Sequence, residues 1–131
     1  PRKLVPQREC HMLILLHNDN VLLEKRPQTG IWGGLWCLPQ FNEFDALENA
    51  CVNWGVKPSA QSKMATLQHT FTHFKLQITP WWLTVKRIPL AEPNNDYCWQ
   101  PLNLLADTGL PAPVQKILHG VRQSLLSNNK A

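Results

Sequence analysis

The chain has 131 residues, 44% of them hydrophobic, and a formal net charge of +4. This length suffices for one hydrophobic core, and no shift in composition marks a second domain. The longest apolar run, Met12–Leu16, is far too short to span a bilayer or to serve as a signal peptide. We therefore expect a soluble, monomeric, cytoplasmic protein without a membrane partner. The mild basic excess is compatible with a polyanionic partner but does not require one.

The cysteines and the first residues give two further expectations. The cysteines are Cys10, Cys37, Cys51 and Cys98. Because no two of them form a Cys-x-x-Cys pair, they do not indicate a zinc or iron–sulfur site, and we expect buried reduced thiols. Residues 1–9 begin with Pro rather than Met and show no regular pattern. We expect a linker there, a domain over 10–126 and a tail over 127–131, in a piece of a longer protein.

Two apolar runs, Met12–Leu16 and Val21–Leu23, are separated by four polar residues. Since Asn and Asp tolerate the left-handed backbone of tight turns, this pattern predicts two strands joined by a turn. A loop over 27–34 follows, which the adjacent Gly33 and Gly34 keep flexible. A third extended segment over 35–38 comes next and ends before a proline.

From residue 42 onward the hydrophobic period changes to that of a helix. The apolar positions recur at spacings of three and four, so they share one helical face. They are Phe44, Leu47, Cys51 and Trp54. We predict Asn42 as the N-cap, with Glu43 and Asp45 at the positive end of the helix dipole. Gly55 suits the left-handed position after the last turn.

Residues 64–85 alternate between apolar and polar for much of their length, but a single strand has only about 3 to 10 residues. A turn must therefore interrupt them, and the polar stretch over 70–73 is the expected place. Phe71–His73 would then form the tip of a β-hairpin. In the returning strand, Trp81–Leu83 is apolar on both faces and is expected to be buried on both.

The last third of the chain predicts a short strand over 96–99, an extended connection over 101–113 and a closing amphipathic helix entered through Pro113. The apolar face of this helix consists of Val114, Ile117, Leu118, Val121 and Leu125. Strands and helices mixed around one sheet predict an α+β or α/β layered domain.

Four segments together resemble the C-terminal domain of adenine DNA glycosylases of the MutY family. They are Leu22–Pro27, Trp32–Phe41, His69–Phe74 and Leu110–Val114. The Trp-Gly-Gly-Leu-Trp motif also occurs in related Nudix proteins, whereas His-Thr-Phe-Thr-His-Phe selects the glycosylase branch. The resemblance implies an α+β, Nudix-like fold with a mixed β-sheet flanked by helices.

A Nudix hydrolase carries the box Arg-Glu-x-x-Glu-Glu in its helix, where the carboxylates hold Mg²⁺. Alignment with this box puts Glu48 at the Arg position. The three Glu positions hold Asn49, Val52 and Asn53. Because hard divalent cations require anionic oxygen ligands, we expect neither a metal site nor a catalytic residue in this chain.

His69 and His73 are four residues apart, a spacing that would place both on one face of a helix. In an extended segment their side chains lie roughly 13 Å apart, and the sequence offers no third ligand. Surface or hydrogen-bonding histidines are therefore expected rather than metal ligands.

In the family, the loop that corresponds to Phe71, Thr72 and His73 reads 8-oxoguanine, so the resemblance implies that these three residues bind DNA and the lesion. Oxidation turns guanine N7 from an acceptor into an N–H donor, and the Thr72 hydroxyl offers an acceptor. The family usually has serine there, and threonine adds a methyl group and a stiffer χ1. Phe71 suits a wedge or a stacking role, or a place in the core.

The resemblance also implies a longer bacterial enzyme of base-excision repair. Its partner would be double-stranded DNA with 8-oxoguanine opposite adenine, and its separate N-terminal catalytic domain would carry an iron–sulfur cluster and remove the adenine. The present chain would contain no cofactor and would have no glycosylase activity alone. Two alternatives stay open: a Nudix nucleotide pyrophosphatase, and a protein-interaction module. The second would expose an apolar patch formed by Trp81, Trp82 and Trp99.

Overall fold

The computed structural model describes residues 6–86 and 96–128, without the side chains of residues 106 and 107. The strands are β1 (Gln7–His17), β2 (Asn20–Lys25), β3 (Trp36–Cys37), β4 (Gln40–Phe41), β5 (Leu67–Thr70), β6 (Lys75–Thr84) and β7 (Tyr97–Pro101). The α-helices are α1 (Phe44–Asn53) and α2 (Ala112–Asn128), and short 3-10 helices cover Ala60–Ser62 and Leu102–Asp107. Within these ranges no helix is long and apolar enough to cross a membrane.

The seven strands of the described residues form one mixed sheet, which confirms the α+β prediction. The main order is β3-β2-β1-β6-β5, while β4 pairs with β1 and β7 pairs with β2. β1 and β6 are parallel from Gln7 opposite Lys75 to Leu16 opposite Thr84, and the other pairs are antiparallel. The predicted turn between β1 and β2 is confirmed, with Asn18 at a left-handed φ of 55°.

Because successive side chains of a strand point to opposite faces, β1 contributes to two cores. Met12 and Ile14 belong to the core beneath α2, together with the buried face of that helix. Leu13 and Leu15 belong to the core beneath α1, together with Leu47 and other apolar residues of that helix. The two helices therefore cover opposite faces of the sheet, and both predicted apolar helix faces are confirmed.

The predicted N-cap of α1 is wrong by one residue. Glu43, not Asn42, occupies the N-cap, with extended backbone at φ −133° and ψ 151° and without a side-chain capping bond. The ring of Phe44, the first helical residue, lies 4.7 Å from that of Trp81. Packing rather than side-chain capping thus accompanies the start of the helix. The left-handed position at Gly55 is confirmed, with φ 69°.

The connection over 101–113 is not extended throughout, because a 3-10 helix covers Leu102–Asp107. Side chains three residues apart eclipse each other in this helix type. Leu102 and Leu105 therefore lie on the same side of the helix. Both contact the core beneath α2, where Leu102 is buried and Leu105 is partly buried. An extended chain would place side chains three apart on opposite faces, so the 3-10 turn buries both leucines.

β1 begins at Gln7, inside the stretch predicted as a linker. The backbone explains this start, because Lys75 N–H donates to the Pro6 carbonyl at 2.9 Å and Gln7 pairs with Lys75. Residues 1–5 of the predicted linker and 129–131 of the predicted tail lie outside the described residues. The division of the chain into linker, domain and tail stays a prediction.

The β5–β6 hairpin is confirmed, with Thr70 opposite Lys75 and the tip between them. The expected burial is confirmed for Trp81 and Leu83, whereas Trp82, on the other face, is only partly buried. Trp81 and Leu83 pack in the core beneath α1. Trp82, which points the other way, packs against the core beneath α2.

Candidate nucleic-acid interface

The hairpin tip is a four-residue segment, 71–74, closed by a hydrogen bond from Phe71 N–H to the Phe74 carbonyl at 2.8 Å. The side chains of Thr72 and His73 are exposed, while Phe71 and Phe74 are partly buried against the core beneath α2. The turn thus holds two aromatic rings inward and two polar side chains outward. The predicted location at the tip is confirmed, and the binding role of the three residues stays a prediction.

Aromatic rings form one contiguous cluster beneath the tip. The Phe71 and Phe74 rings stack at 4.6 Å with 22° between their planes. Trp32 lies 5.4 Å from Phe71, and His69 meets the edge of Phe71 at 4.7 Å. At the other end, the Arg8 guanidinium carbon lies 4.4 Å from the Phe74 ring centroid. We call these five residues the tip stack.

The contacts of Phe71 in the tip stack bear on whether its ring enters DNA or supports the fold. Its ring has contacts with Phe74, Trp32 and His69, so leaving the stack to enter a DNA duplex would break all three. Aromatic pairs of this kind contribute roughly 0.5–1.5 kcal/mol each beyond their buried area. The geometry therefore favours a supporting role for Phe71, while Thr72 carries the accessible hydroxyl.

Trp32 reaches the stack from a backbone that few large residues adopt. Its φ is 53°, in the left-handed region, where a non-glycine residue costs roughly 1–3 kcal/mol. Leu35 N–H donates to the Trp32 carbonyl at 3.1 Å and closes the turn. A Cβ on Gly33 would lie 2.3 Å from the Gln28 carbonyl oxygen. Close backbone approach, rather than the flexibility predicted from sequence, thus requires glycine at that position.

A cavity of about 510 Å³ opens beside the tip stack. Its polar lining is Arg8, Glu9, Arg26, Gln40 and Asn42, and Phe74 forms part of its apolar wall. Arg26 Nε and Gln40 Oε1 are buried without a hydrogen-bond partner. Because both atoms are shielded from solvent, a ligand in the cavity would reach them only after a rearrangement.

The cysteines do not supply a reactive group. Cys10, Cys37 and Cys51 are buried, Cys98 is partly buried, and all four are free. Burial raises the pKa of Cys10 and of Cys37 to about 12 and that of Cys51 to about 11. These thiols therefore stay protonated at neutral pH, whereas the thiolate is the nucleophile and the metal ligand.

The outer face of α1 does not fit a magnesium site. Val52 is 70% exposed, Asn49 and Asn53 are exposed, and Glu48 is half-buried. Two amides and an aliphatic side chain do not replace three carboxylates around a hard cation. Among the described residues, no group of three or more His, Cys, Asp or Glu side chains could hold a metal ion.

The exposed tryptophan patch, which would have supported a protein-interaction module, is not present. Trp81 is only 9% exposed. Trp82 and Trp99 are partly buried and pack against the cores beneath α2 and α1, respectively. The three indoles thus contribute to the interior on both faces of the sheet.

Comparison with known proteins places this geometry in a family. A family profile described as a NUDIX domain matches residues 10–120. The adenine DNA glycosylase of Buchnera aphidicola subsp. Baizongia pistaciae is 31% identical over 126 residues, which cover 93% of this chain and 35% of that protein. The adenine DNA glycosylase of the Acyrthosiphon pisum subspecies is 28% identical over 125 residues, covering 95% of this chain and 36% of that protein.

The fold has a counterpart among solved structures. The C-terminal domain of mouse MUTYH, in complex with human PCNA, matches with a TM-score of 0.69 at 17% identity. The match covers 88% of this chain and 89% of the mouse chain. The chain spans about a third of the length of the curated glycosylases, and within that span the Nudix-like prediction is confirmed. The chain belongs to the NUDIX domain family.

Proposed function

We propose that this domain recognises 8-oxoguanine opposite adenine as part of an adenine DNA glycosylase. The observation that carries the proposal is the hairpin tip, which presents Thr72 and His73 to solvent on a base of packed aromatic rings. The names of the relatives support it, since both are adenine DNA glycosylases. A separate N-terminal catalytic domain with an iron–sulfur cluster, and duplex DNA as partner, belong to the same proposal.

The chemistry of the tip suits this lesion. An oxidised guanine presents an N7 hydrogen that guanine lacks, and the Thr72 hydroxyl can accept it. A neutral His73 imidazole has one donor and one acceptor, so it can contact a base edge or a phosphate. A preorganised loop loses less entropy on binding than a mobile one, and the tip stack supplies this order.

The free energy of a single hydrogen bond limits how well the tip can distinguish 8-oxoguanine from guanine. One neutral hydrogen bond contributes about 0.5–1.5 kcal/mol, which corresponds to discrimination of at most about tenfold. We therefore propose that the domain shares lesion specificity with the catalytic domain, where the adenine leaves the base stack for hydrolysis. The present chain binds the lesion and performs no chemistry in this division of labour.

The test uses single-turnover kinetics of a full-length adenine DNA glycosylase that contains this domain. Thr72→Ala should reduce the preference for adenine opposite 8-oxoguanine over adenine opposite guanine by up to about tenfold. Thr72→Ser, which keeps the hydroxyl, should retain most of the preference. Thr84→Ala is the matched control, because Thr84 is exposed at the far end of β6. An unchanged preference in a folded Thr72→Ala enzyme would exclude the hydroxyl as a lesion contact.

A further inference from the structure

Arg8 lies beside the hairpin tip although it is more than sixty residues away in sequence. It pairs with Leu76 in the parallel β1–β6 ladder, and Phe74 lies two residues before Leu76. Side chains two apart in an extended segment share a face of the sheet. The ladder therefore places the Arg8 side chain next to the Phe74 ring, where the guanidinium lies at 4.4 Å.

The stacking arrangement leaves the hydrogen-bonding edge of the guanidinium accessible. The guanidinium carbon lies over the Phe74 ring, and a guanidinium carries five N–H donors in its plane, more than one ring contact can occupy. The Arg8 residue is exposed. Cation–π contact of this kind contributes about 0.5–1 kcal/mol at exposed sites, enough to bias the orientation of the side chain.

The charge of Arg8 is available for a ligand. Within residues 6–86 and 96–128, Arg8 has no ion-pair partner, and its one specific side-chain contact is the Phe74 ring. Glu9, the next residue in β1, also lines the adjoining cavity, but it forms no ion pair with Arg8, and its charge acts on His11. An exposed guanidinium that no carboxylate in the described part of the chain pairs with is suited to an external anion.

If the tip contacts DNA as proposed, a backbone phosphate is the anion nearest to Arg8. Two ring contacts, of 4.6 and 4.4 Å, separate the Arg8 guanidinium from Phe71. Each DNA strand carries one negative charge per roughly 3.4 Å along the axis, so a base held against the tip would bring phosphates of its own strand near the guanidinium. Arginine contacts to phosphate position a protein on the duplex without reading its sequence.

We propose that Arg8 binds a backbone phosphate of the strand that carries the oxidised guanine, and that its stacking on Phe74 couples this contact to the hairpin tip. The inference rests on the proposed function, because the tip brings the DNA to this end of the sheet. It adds a residue that the sequence motifs do not contain. Thr72 distinguishes the lesion, and Arg8 fixes the register of the domain on the strand.

The experiment measures binding of this chain to two labelled duplexes by fluorescence anisotropy at four salt concentrations. One duplex has adenine opposite 8-oxoguanine and the other has adenine opposite guanine. Arg8→Gln removes the charge but keeps a planar amide over Phe74, and Arg8→Lys keeps the charge. Lys116→Gln is the matched control, because it removes an equal charge from the exposed face of α2. Melting curves verify that each variant is folded.

Arg8→Gln should make the negative slope of log K against log salt concentration shallower by about 0.9, equally on both duplexes. Arg8→Lys and Lys116→Gln should leave the slope unchanged. An unchanged slope in Arg8→Gln would overturn the inference, and so would absence of salt-dependent duplex binding by the unsubstituted chain. If the slope becomes shallower as expected but no variant or parent distinguishes the two duplexes, the phosphate contact stands and the proposed lesion recognition fails.

Discussion

The hairpin tip and the outer face of α1 are both surface regions of one small domain, yet they are built differently. The tip is held by five side chains in mutual contact, one of which, Trp32, adopts an unfavourable backbone to reach Phe71. The outer face of α1 carries Val52 at 70% exposure between two exposed asparagines. A binding site requires side chains held by their neighbours, and only the tip meets that requirement. Of these two surfaces, the tip is therefore the one whose side chains are held in place, as the proposed function requires.

Removal of the Phe71 ring, at the centre of the tip stack, should have the largest effect on the free energy of unfolding. Phe71→Ala removes a partly buried ring with three aromatic contacts, and we expect it to lower the free energy of unfolding by about 2–4 kcal/mol. Val52→Ala on the outer face of α1 should stay within about 0.5 kcal/mol of the parent. Urea unfolding of both variants measures the contrast. Equal small changes would show that the tip is no better supported than the helix face.

Local sequence pattern was sufficient for much of this architecture. Alternation and its interruption located the β5–β6 tip, and the helical period located the buried faces of both helices. These features depend on residues near one another in the chain, so a short stretch of sequence is sufficient to predict them. Phe71, Thr72 and His73 were placed at the tip for the same reason, whereas their role came from a family resemblance.

The support of the tip could not be predicted, because it depends on contacts between distant segments. Gln7–Glu9 is polar and looks like a linker, but pairing with β6 makes it part of β1. Arg8 and Trp32 lie far from Phe71 in sequence, and only the folded sheet brings them to it. Left-handed backbone at Trp32 has no sequence signal, since glycine is the residue that usually indicates it.

The backbone strain at Trp32 can be tested by comparing glycine and alanine at this position, because alanine is ordinarily the more stabilising of the two. Trp32→Ala and Trp32→Gly both remove the indole, but only glycine adopts a φ of 53° without cost. We expect the glycine variant to be more stable than the alanine variant by about 1–2 kcal/mol. At Val52, in the last turn of α1, the order should be the opposite, with glycine less stable than alanine by up to about 1 kcal/mol. Thermal or urea unfolding of the four variants measures both differences, and an alanine variant as stable as the glycine variant at position 32 would contradict the expected strain.

Acid should weaken the α1 side of the sheet through His11. Trp81 Nε1–H donates to His11 Nδ1 at 3.0 Å, which requires a neutral imidazole acceptor. Burial lowers the pKa of His11 below its ordinary value of 6.5, Glu9 acts in the opposite direction and Lys63 lowers it further. The unfolded chain therefore binds the proton first, so stability is complete above about pH 6.5 and falls as the pH decreases below it.

The matched variant for this effect is His11→Gln, whose amide oxygen can still accept the Trp81 hydrogen but does not titrate. Between about pH 8 and about pH 5, the melting temperature of the parent should fall more than that of His11→Gln. Burial also raises the pKa of Glu24, which acts in the opposite direction, but both proteins share that residue. His119→Gln, on the exposed face of α2, is the control. If the melting temperature of His11→Gln has the same pH dependence as that of the parent, titration of His11 does not cause the loss of stability in acid.

The smallest expected effect concerns the outer face of α1, where Mg²⁺ should change nothing. With 8-oxo-dGTP and Mg²⁺, the unsubstituted chain should release no more monophosphate than buffer, and its melting temperature should not respond to the cation. A combined Asn49→Glu, Val52→Glu and Asn53→Glu variant sharpens the comparison. It places three carboxylates on neighbouring positions of one helical face, where their repulsion should lower stability until Mg²⁺ binds. If Mg²⁺ raises the melting temperature of this variant alone, the helix has a geometry suited to the cation, and the natural chain lacks only the carboxylate ligands. Turnover by the unsubstituted chain at the rate of a working hydrolase would instead contradict the assignment of function to the tip.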